Sequence, residues 1–240
     1  SDPDNPVSIS AITNQSGVTA ALAASAVTVT DTGNTDGGSF TYRGTGTDTA
    51  TVQVVRDVIG AIDGGNGNDI LIGDGAASKN DTLNGGSGND ILYGLTGNDT
   101  LNGGSGRDTL YGGSNNDIFD FNSLNDVTLV NNGSAGGITA ANLSQLELIG
   151  DFMQGQDKID LSTIDARTGN GFNGDQAFNF LGTAAFNNGN AAGGLHYSQV
   201  QDANGQWYTI IELSTDNDSS AEFQLAILGQ HDMQVTDFFL

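Results

Sequence analysis

From Gly64 to Phe121 the chain repeats itself every nine residues: GGNGNDILI, GDGAASKNDTLN, GGSGNDILY, GLTGNDTLN, GGSGRDTLY, GGSNNDIFD. The second unit carries three extra residues, so Asp69 to Asp81 spans twelve and every later step is nine. Each unit places an aspartate at its sixth position: Asp69, Asp81, Asp90, Asp99, Asp108 and Asp117. Each also places a large apolar residue at the eighth: Leu71, Leu83, Leu92, Leu101, Leu110 and Phe119. A fixed period of this kind dictates a stack of identical units before any other reading is considered. Taken as six residues of turn and three of strand, one unit offers a single inward apolar residue, which suits the narrow interior of a parallel β-coil. Two units then make one full turn. The bends need positive φ, which glycine adopts freely. Leu95 at a second position and Asn115 at a fourth are the departures, and asparagine is the better tolerated.

Units eighteen residues apart would lie directly over one another, roughly 4.8 Å apart. Their carboxylates would repel, and carbonyl oxygens crowded into the bends would add negative potential. A hard divalent cation satisfies both. Calcium takes about six to eight oxygen ligands in irregular geometry, magnesium demands a tighter octahedron, and zinc or copper would want His or Cys that the segment lacks. Residues 61–122 hold nine Asp against Lys79 and Arg107, a net charge of −7. Six bends make four stacked pairs, so at least four Ca2+ ions are expected. Without them, the small apolar interior cannot offset the entropy of ordering so many glycines, and the coil should be largely disordered.

Composition narrows the function further. Twenty-nine acidic residues face six basic ones, a formal charge of −23 that repels nucleic acid and anionic membrane surfaces and attracts cations. Only Glu147, Glu212 and Glu222 among the acids are glutamates, so the acidity is of the short, turn-held kind that suits cation coordination. There is no cysteine, hence neither disulfide nor thiolate metal site. No apolar run reaches membrane-spanning length and no signal peptide is present, so no membrane insertion is expected. The chain starts without Met, which reads as a piece of something longer. No HExxH, GxSxG or paired Glu occurs, so the chain is read as not an enzyme. His196 and His231 are isolated and read as structural, and Asp157, Lys158 and Asp160 read like a dyad. The turn Ser214–Ser220 lacks the length and terminal Glu of an EF-hand loop.

The reading divides the chain into three: residues 1–60, a β-rich segment that ends an upstream domain; 61–122, the coil; and 123–240, a β-rich cap. AVTVTDTG and TATVQVV alternate as half-buried strands about a TGNTDGG turn. AFNFLG, LHYSQVQ, QWYTIIELS, AEFQLAIL and VTDFFL read as strands downstream, and ITAANLSQLEL as one short helix.

The units resemble the glycine-rich nonapeptide of RTX exoproteins, and DFMQGQDKIDLSTID, GGLHYSQVQ, STDNDSSAEFQLAILG and DFFL are similar to the C-terminal region of serralysin-type secreted proteases. The resemblance implies an all-β protein: a parallel β-roll stacked on calcium, flanked by a β-rich N-terminal segment and a C-terminal capping module. It further implies carbonyl and carboxylate ligands at the second, fourth and sixth positions of one bend and the first, third and sixth of the bend eighteen on. Those are Gly65, Gly67 and Asp69 with Gly85, Ser87 and Asp90; then Gly86, Gly88 and Asp90 with Gly103, Ser105 and Asp108. On the other side they are Leu95, Gly97 and Asp99 with Gly112, Ser114 and Asp117. Gly94 and Thr96 would join Asp81 and Asp99 at the site the insertion disturbs, where Asp74 is a substitute ligand, and Gly104 and Gly106 hold the second and fourth places in the bend of Asp108. Asp237, Phe238, Phe239 and Leu240 match the acidic-then-apolar ending that a type I secretion machinery reads without cleavage.

The expected function is therefore a calcium-binding module at the C-terminal part of a larger protein, secreted to the exterior or surface of a Gram-negative-type bacterium and folding there. An adhesin or surface-layer module, and a carbohydrate-binding accessory module of a secreted polysaccharide-modifying enzyme, with a glycan or cell-surface partner, are the alternatives.

Overall fold

The computed structural model describes residues 61–73, 75, 79–127, 129–130, 138–166, 176–186, 192–216 and 220–240, together with the backbone of five strands before residue 61. The regular elements among the described residues are strands and short 3₁₀ turns, and the protein divides into two compact units, Ser1–Asp120 and Phe121–Leu240. Among the described residues no helix is long and apolar enough to cross a membrane.

The first unit contains β1 (Ser8–Ile12), β2 (Val18–Ala23), β3 (Ala26–Asp31), β4 (Phe40–Arg43), β5 (Thr51–Val55), β6 (Ala61–Asn66), β7 (Ile70–Ile72), β8 (Thr82–Ser87), β9 (Ile91–Thr96), β10 (Thr100–Ser105), β11 (Thr109–Ser114) and β12 (Ile118–Asp120). Within the repeats, alternate strands fall into two parallel sheets, β6-β8-β10-β12 and β7-β9-β11. This is the parallel β-roll that two units per turn require. Its interior is a file of eighth-position side chains: Leu71, Leu83, Leu92, Leu101 and Leu110 and Phe119 are all 0 % exposed, with Ile62 at 2 %. Upstream, β5 pairs parallel with β7, β3 with β5, and β2 closes antiparallel on β3, so these three strands extend the same sheet. β1 and β4 form a separate antiparallel pair. The TGNTDGG turn lies outside the described residues.

The strands are longer than three residues. β8 to β11 each run for 6 residues, from the seventh position of one unit to the third of the next. The ladder continues beyond the apolar triplet into the second and third positions, where Gly104 pairs with Gly86 and Ser105 with Ser87. The left-handed turns fall at the second and fourth positions, where even the non-glycines comply: Leu95 has φ 76° and Asn115 φ 86°. The inserted unit is absorbed without loss of register, since Thr82 pairs with Thr100 while Ile70 pairs with Ile91.

The second unit continues with β13 (Glu147–Ile149), β14 (Lys158–Asp160), β15 (Asn179–Gly182), β16 (Gly194–Gln201), β17 (Trp207–Ser214), β18 (Phe223–Leu228) and β19 (Phe238–Phe239). Five of these form a mixed sheet in the order β15-β16-β17-β18-β13, and β14 pairs parallel with β19. The segment ITAANLSQLEL makes no α-helix. Asn142 Oδ1 accepts the Thr139 N–H at 2.7 Å, a single 3₁₀ turn follows at Leu143–Gln145, and the chain then enters β13. Ile138, Leu143 and Leu146 bury themselves with Val130 against Ile210 and Ala226 of the sheet, so packing decides over local helical spacing.

A methyl group on Gly104, at φ 86°, would stand 2.1 Å from the carbonyl oxygen of Gly86. Gly104→Ala should therefore destabilise the folded roll by about 3 kcal/mol or more. Leu95→Gly, which removes a left-handed side chain, should gain about 0.5–1 kcal/mol. Thermal unfolding in calcium measures both, and an unaltered midpoint for Gly104→Ala would contradict the close stacking of the coils.

Candidate metal centre

The sixth-position aspartates turn inward at the bends: Asp69, Asp81, Asp90, Asp99, Asp108 and Asp117 are at most 2 % exposed. They form two columns, Asp69, Asp90 and Asp108 on one side of the roll and Asp81, Asp99 and Asp117 on the other. Within each stacked pair the later carboxylate accepts the backbone N–H of the earlier aspartate through Oδ1. Asp69 donates to Asp90 at 2.7 Å, Asp90 to Asp108 at 2.7 Å, Asp81 to Asp99 at 2.7 Å and Asp99 to Asp117 at 2.9 Å. The pair Asp81–Asp99 is built like the other three, with Lys79 supplying the carbonyl that faces Gly97. Asp74 lies outside the described residues.

Each Oδ2 turns to a second place. A methyl group on Gly85 would meet Asp90 Oδ2 at 2.5 Å and the carbonyl oxygen of Gly103, in the next coil, also at 2.5 Å. Gly64 marks the same convergence of Asp69 Oδ2 with the Gly85 carbonyl (2.8 and 2.6 Å), Gly73 that of Asp81 with Gly94 (2.5 and 2.7 Å), and Gly94 that of Asp99 with Gly112 (2.6 and 2.6 Å). All four stacked pairs thus aim a carboxylate oxygen and a first-position carbonyl at one small space. The second- and fourth-position carbonyls lie against the facing coil: the oxygens of Gly65, Gly67, Gly86, Gly88 and Leu95 each stand within 2.1 Å of where a methyl on Gly86, Gly88, Gly104, Gly106 or Gly113 would be. At the third position, the carbonyls of Ser87, Ser105 and Ser114 accept N–H groups of Gly67, Gly88 and Gly97 at 2.8, 2.8 and 3.3 Å, each keeping a second lone pair. Thr96 Oγ1 is buried without a hydrogen-bond partner.

The donor set is all oxygen, from carboxylates and carbonyls. It fits calcium and offers nothing to a soft metal. Asp90 Oδ2 is buried with no hydrogen-bond partner, which is costly for a carboxylate unless a cation supplies the missing contacts. Burial pushes the Asp90 carboxyl from 3.8 up to about 6, while the Asp69 N–H bond pulls it part of the way back. Calcium held here would be bound by Asp69, Asp81, Asp90, Asp99, Asp108 and Asp117 with the bend carbonyls around them.

One set of residues at the bends carries no role in the sequence reading. The fifth-position asparagines also hydrogen-bond from coil to coil: Asn68 Oδ1 accepts the Asn89 N–H at 2.7 Å, Asn80 that of Asn98 at 2.9 Å, Asn89 that of Arg107 at 2.9 Å and Asn98 that of Asn116 at 3.1 Å. Their recurrence was the available signal, but asparagine in a turn is ordinary enough to pass as turn composition.

The second unit has no comparable oxygen cluster among its described residues. His196, 4 % exposed, places Nε2 2.9 Å from Glu212, whose other oxygen accepts from Gln224 at 2.7 Å. These three face one another at a single register across β16, β17 and β18. His231 Nε2 lies 2.9 Å from the Leu228 carbonyl. Asp157 Oδ2 accepts the Met153 N–H at 2.7 Å within its own turn. The Ser214–Ser220 turn lies partly outside the described residues. Asp237 is buried, and its Oδ2 accepts from the Gln234 N–H (2.8 Å) and the Gln154 amide (3.1 Å). Phe238 is buried beside it in β19, Phe239 is 42 % exposed, and Leu240 follows β19.

The raised Asp90 value sets a sign. The unfolded carboxyl loses its proton near 3.8 and the folded one near 6, so without metal the stability that this carboxyl contributes is present at low pH and is lost as pH rises through about 4 to 6. In chelator, circular dichroism should show more β structure at pH 5 than at pH 7.5; equal signal at both would remove the carboxylate column as the destabilising element.

Residues 61–77, 75–110 and 93–127 match the family model of the RTX calcium-binding nonapeptide repeat, in 4 copies. Among solved structures the chain is similar to two subunits of the Azotobacter vinelandii mannuronan C5-epimerase. For AlgE6R3 the identity is 24%, covering 72% of this chain and 80% of that one, with a TM-score of 0.43. For AlgE6R2 it is 25%, covering 72% and 88%, with a TM-score of 0.42. No curated protein matches. Residues 61–127, with their stacked aspartates and close-packed bend glycines, are an array of RTX calcium-binding nonapeptide repeats.

Proposed function

We propose that this chain is the calcium-responsive folding module of a larger secreted bacterial protein, its roll assembling when the protein reaches calcium outside the cell. The carrying observation is the set of four stacked aspartate pairs, each aiming a buried Oδ2 and a facing-coil carbonyl at one space. Bound calcium supplies positive charge and oxygen coordination at those points. The aspartates fix the bends over one another, the eighth-position leucines close the interior, and the glycines let the coils approach. Since only the folded roll presents these oxygens together, metal binding and folding are linked. Extracellular modules of this kind bind at about 10⁻⁴ to 10⁻³ M, which leaves the roll unfolded where calcium is scarce. The role is binding and folding, not catalysis.

Four ions follow from four pairs. Asp90 and Asp99 each belong to two pairs, and Asp69, Asp81, Asp108 and Asp117 to one. Calorimetric titration should count at least four calcium ions in the native chain, a loss of about two with Asp90→Asn and of about one with Asp117→Asn. Two or fewer ions in the native chain would break the stacking assignment. The same titration followed by circular dichroism should show cooperative gain of β structure with calcium and not with magnesium.

On this reading Asp237, Phe238, Phe239 and Leu240 serve a type I secretion machinery of a Gram-negative-type cell, supported by their acidic-then-apolar order. Asp237→Asn keeps the oxygen that accepts the Gln234 N–H and removes the charge. Export through a reconstituted type I system should fall in that variant while its calcium-loaded fold is unchanged; full export would withdraw the assignment.

A further inference from the structure

The aspartate and asparagine hydrogen bonds run in opposite directions. In every stacked pair the later coil's aspartate side chain takes an N–H of the earlier coil, and the earlier coil's asparagine side chain takes an N–H of the later one. For the first pair these are Asp69 N–H to Asp90 Oδ1 and Asn89 N–H to Asn68 Oδ1, both 2.7 Å. The other three pairs repeat the arrangement: Asp90–Asp108 with Asn89, Asp81–Asp99 with Asn80, and Asp99–Asp117 with Asn98.

We propose that Asn68, Asn80, Asn89 and Asn98 are positioning residues of the calcium sites, holding each bend over its neighbour by a bond that carries no charge and needs no metal. This rests on the calcium reading of the aspartates. The physical case has three parts. First, the fifth position immediately precedes the ligand aspartate, so tying its N–H fixes the backbone from which that carboxylate projects. Second, the clamp is neutral: an amide oxygen accepts as a carboxylate does but adds nothing to the repulsion in the column. Third, asparagine occupies every fifth position on which a further repeat bend stacks. Arg107, the fifth residue of the last bend on its side, has no repeat bend after it, and there asparagine is absent. Asn116 is the matching last residue on the other side.

The position dependence supplies the test, read by calorimetric titration of the full chain with calcium chloride. Removing the clamp on both sides, in Asn89→Ala with Asn98→Ala, should weaken calcium binding about tenfold, each lost hydrogen bond contributing a few-fold. Asn116→Ala should bind like the native chain. Asn89→Asp with Asn98→Asp keeps the acceptors and should regain most of the tenfold loss. A merely structural contribution of exposed turn residues would not separate position 116 from positions 89 and 98, nor restore binding with the acceptor. If Asn116→Ala loses as much as the double alanine variant, or if the double alanine variant binds as the native chain does, the proposal is overturned. Should the alanine pair fail to fold, the aspartate pair decides: binding within about threefold of native upholds the acceptor role, and failure to bind ends it. A native chain that takes up no calcium would instead remove the calcium reading itself.

Discussion

Parallel strands lie about 4.8 Å apart, so a residue type that recurs once per coil becomes a column at that spacing. Here the recurring residue is a buried aspartate, and repulsion within the column is the constraint that the rest of the roll answers. Oδ1 of Asp90, Asp99, Asp108 and Asp117 is engaged by the backbone of the coil beneath, and Oδ2 of Asp90 is buried without a hydrogen-bond partner, a place that suits a cation. The file of eighth-position leucines is one residue wide and holds two thin sheets together, but it cannot by itself offset a column of buried carboxylates. On the proposed reading, stability would depend on solution calcium more than a conventional core would allow, which suits the repeats to act as a switch.

The glycines serve the same constraint. At second and fourth positions the backbone turns left-handed and, more restrictively, the preceding coil's carbonyl occupies the volume a side chain would need. Leu95 shows that conformation alone can be tolerated, because its side chain is turned to solvent at 38 % exposure. Steric closeness is the stricter demand. It brings carbonyl oxygens near enough together to act as a ligand shell.

Much of this was legible in the sequence because period and residue type coincide: a nine-residue step, an acid at six, an apolar residue at eight. That pattern fixes which residues are inside, which are stacked and how many pairs form. Less was legible where the answer depends on which donor meets which acceptor across coils. Nothing local to GGSGND says that Asn89 bonds to Asn68, or that Ser87 ends a six-residue strand and does not belong to a turn. The disturbed second unit looked like a defect, yet Lys79 takes a place in the bend as readily as glycine does, since the role there is played by a carbonyl common to all residues. In the second unit, Ile138 to Leu148 carries helical spacing on paper, and burial against a sheet overrides it. The buried row of His196, Glu212 and Gln224 joins residues far apart in the chain, and no spacing rule would have linked them.

Because one nonapeptide covers half a coil, the roll has a parity. Adding or deleting two units would lengthen or shorten it and leave the chain emerging on the same side. Adding or deleting one would move the exit to the opposite sheet and leave an aspartate column one member out of balance with its twin. Duplication events in such an array should be judged in steps of eighteen residues, and the three extra residues of the second repeat leave that parity unchanged, since Ile70 still pairs with Ile91 and Thr82 with Thr100.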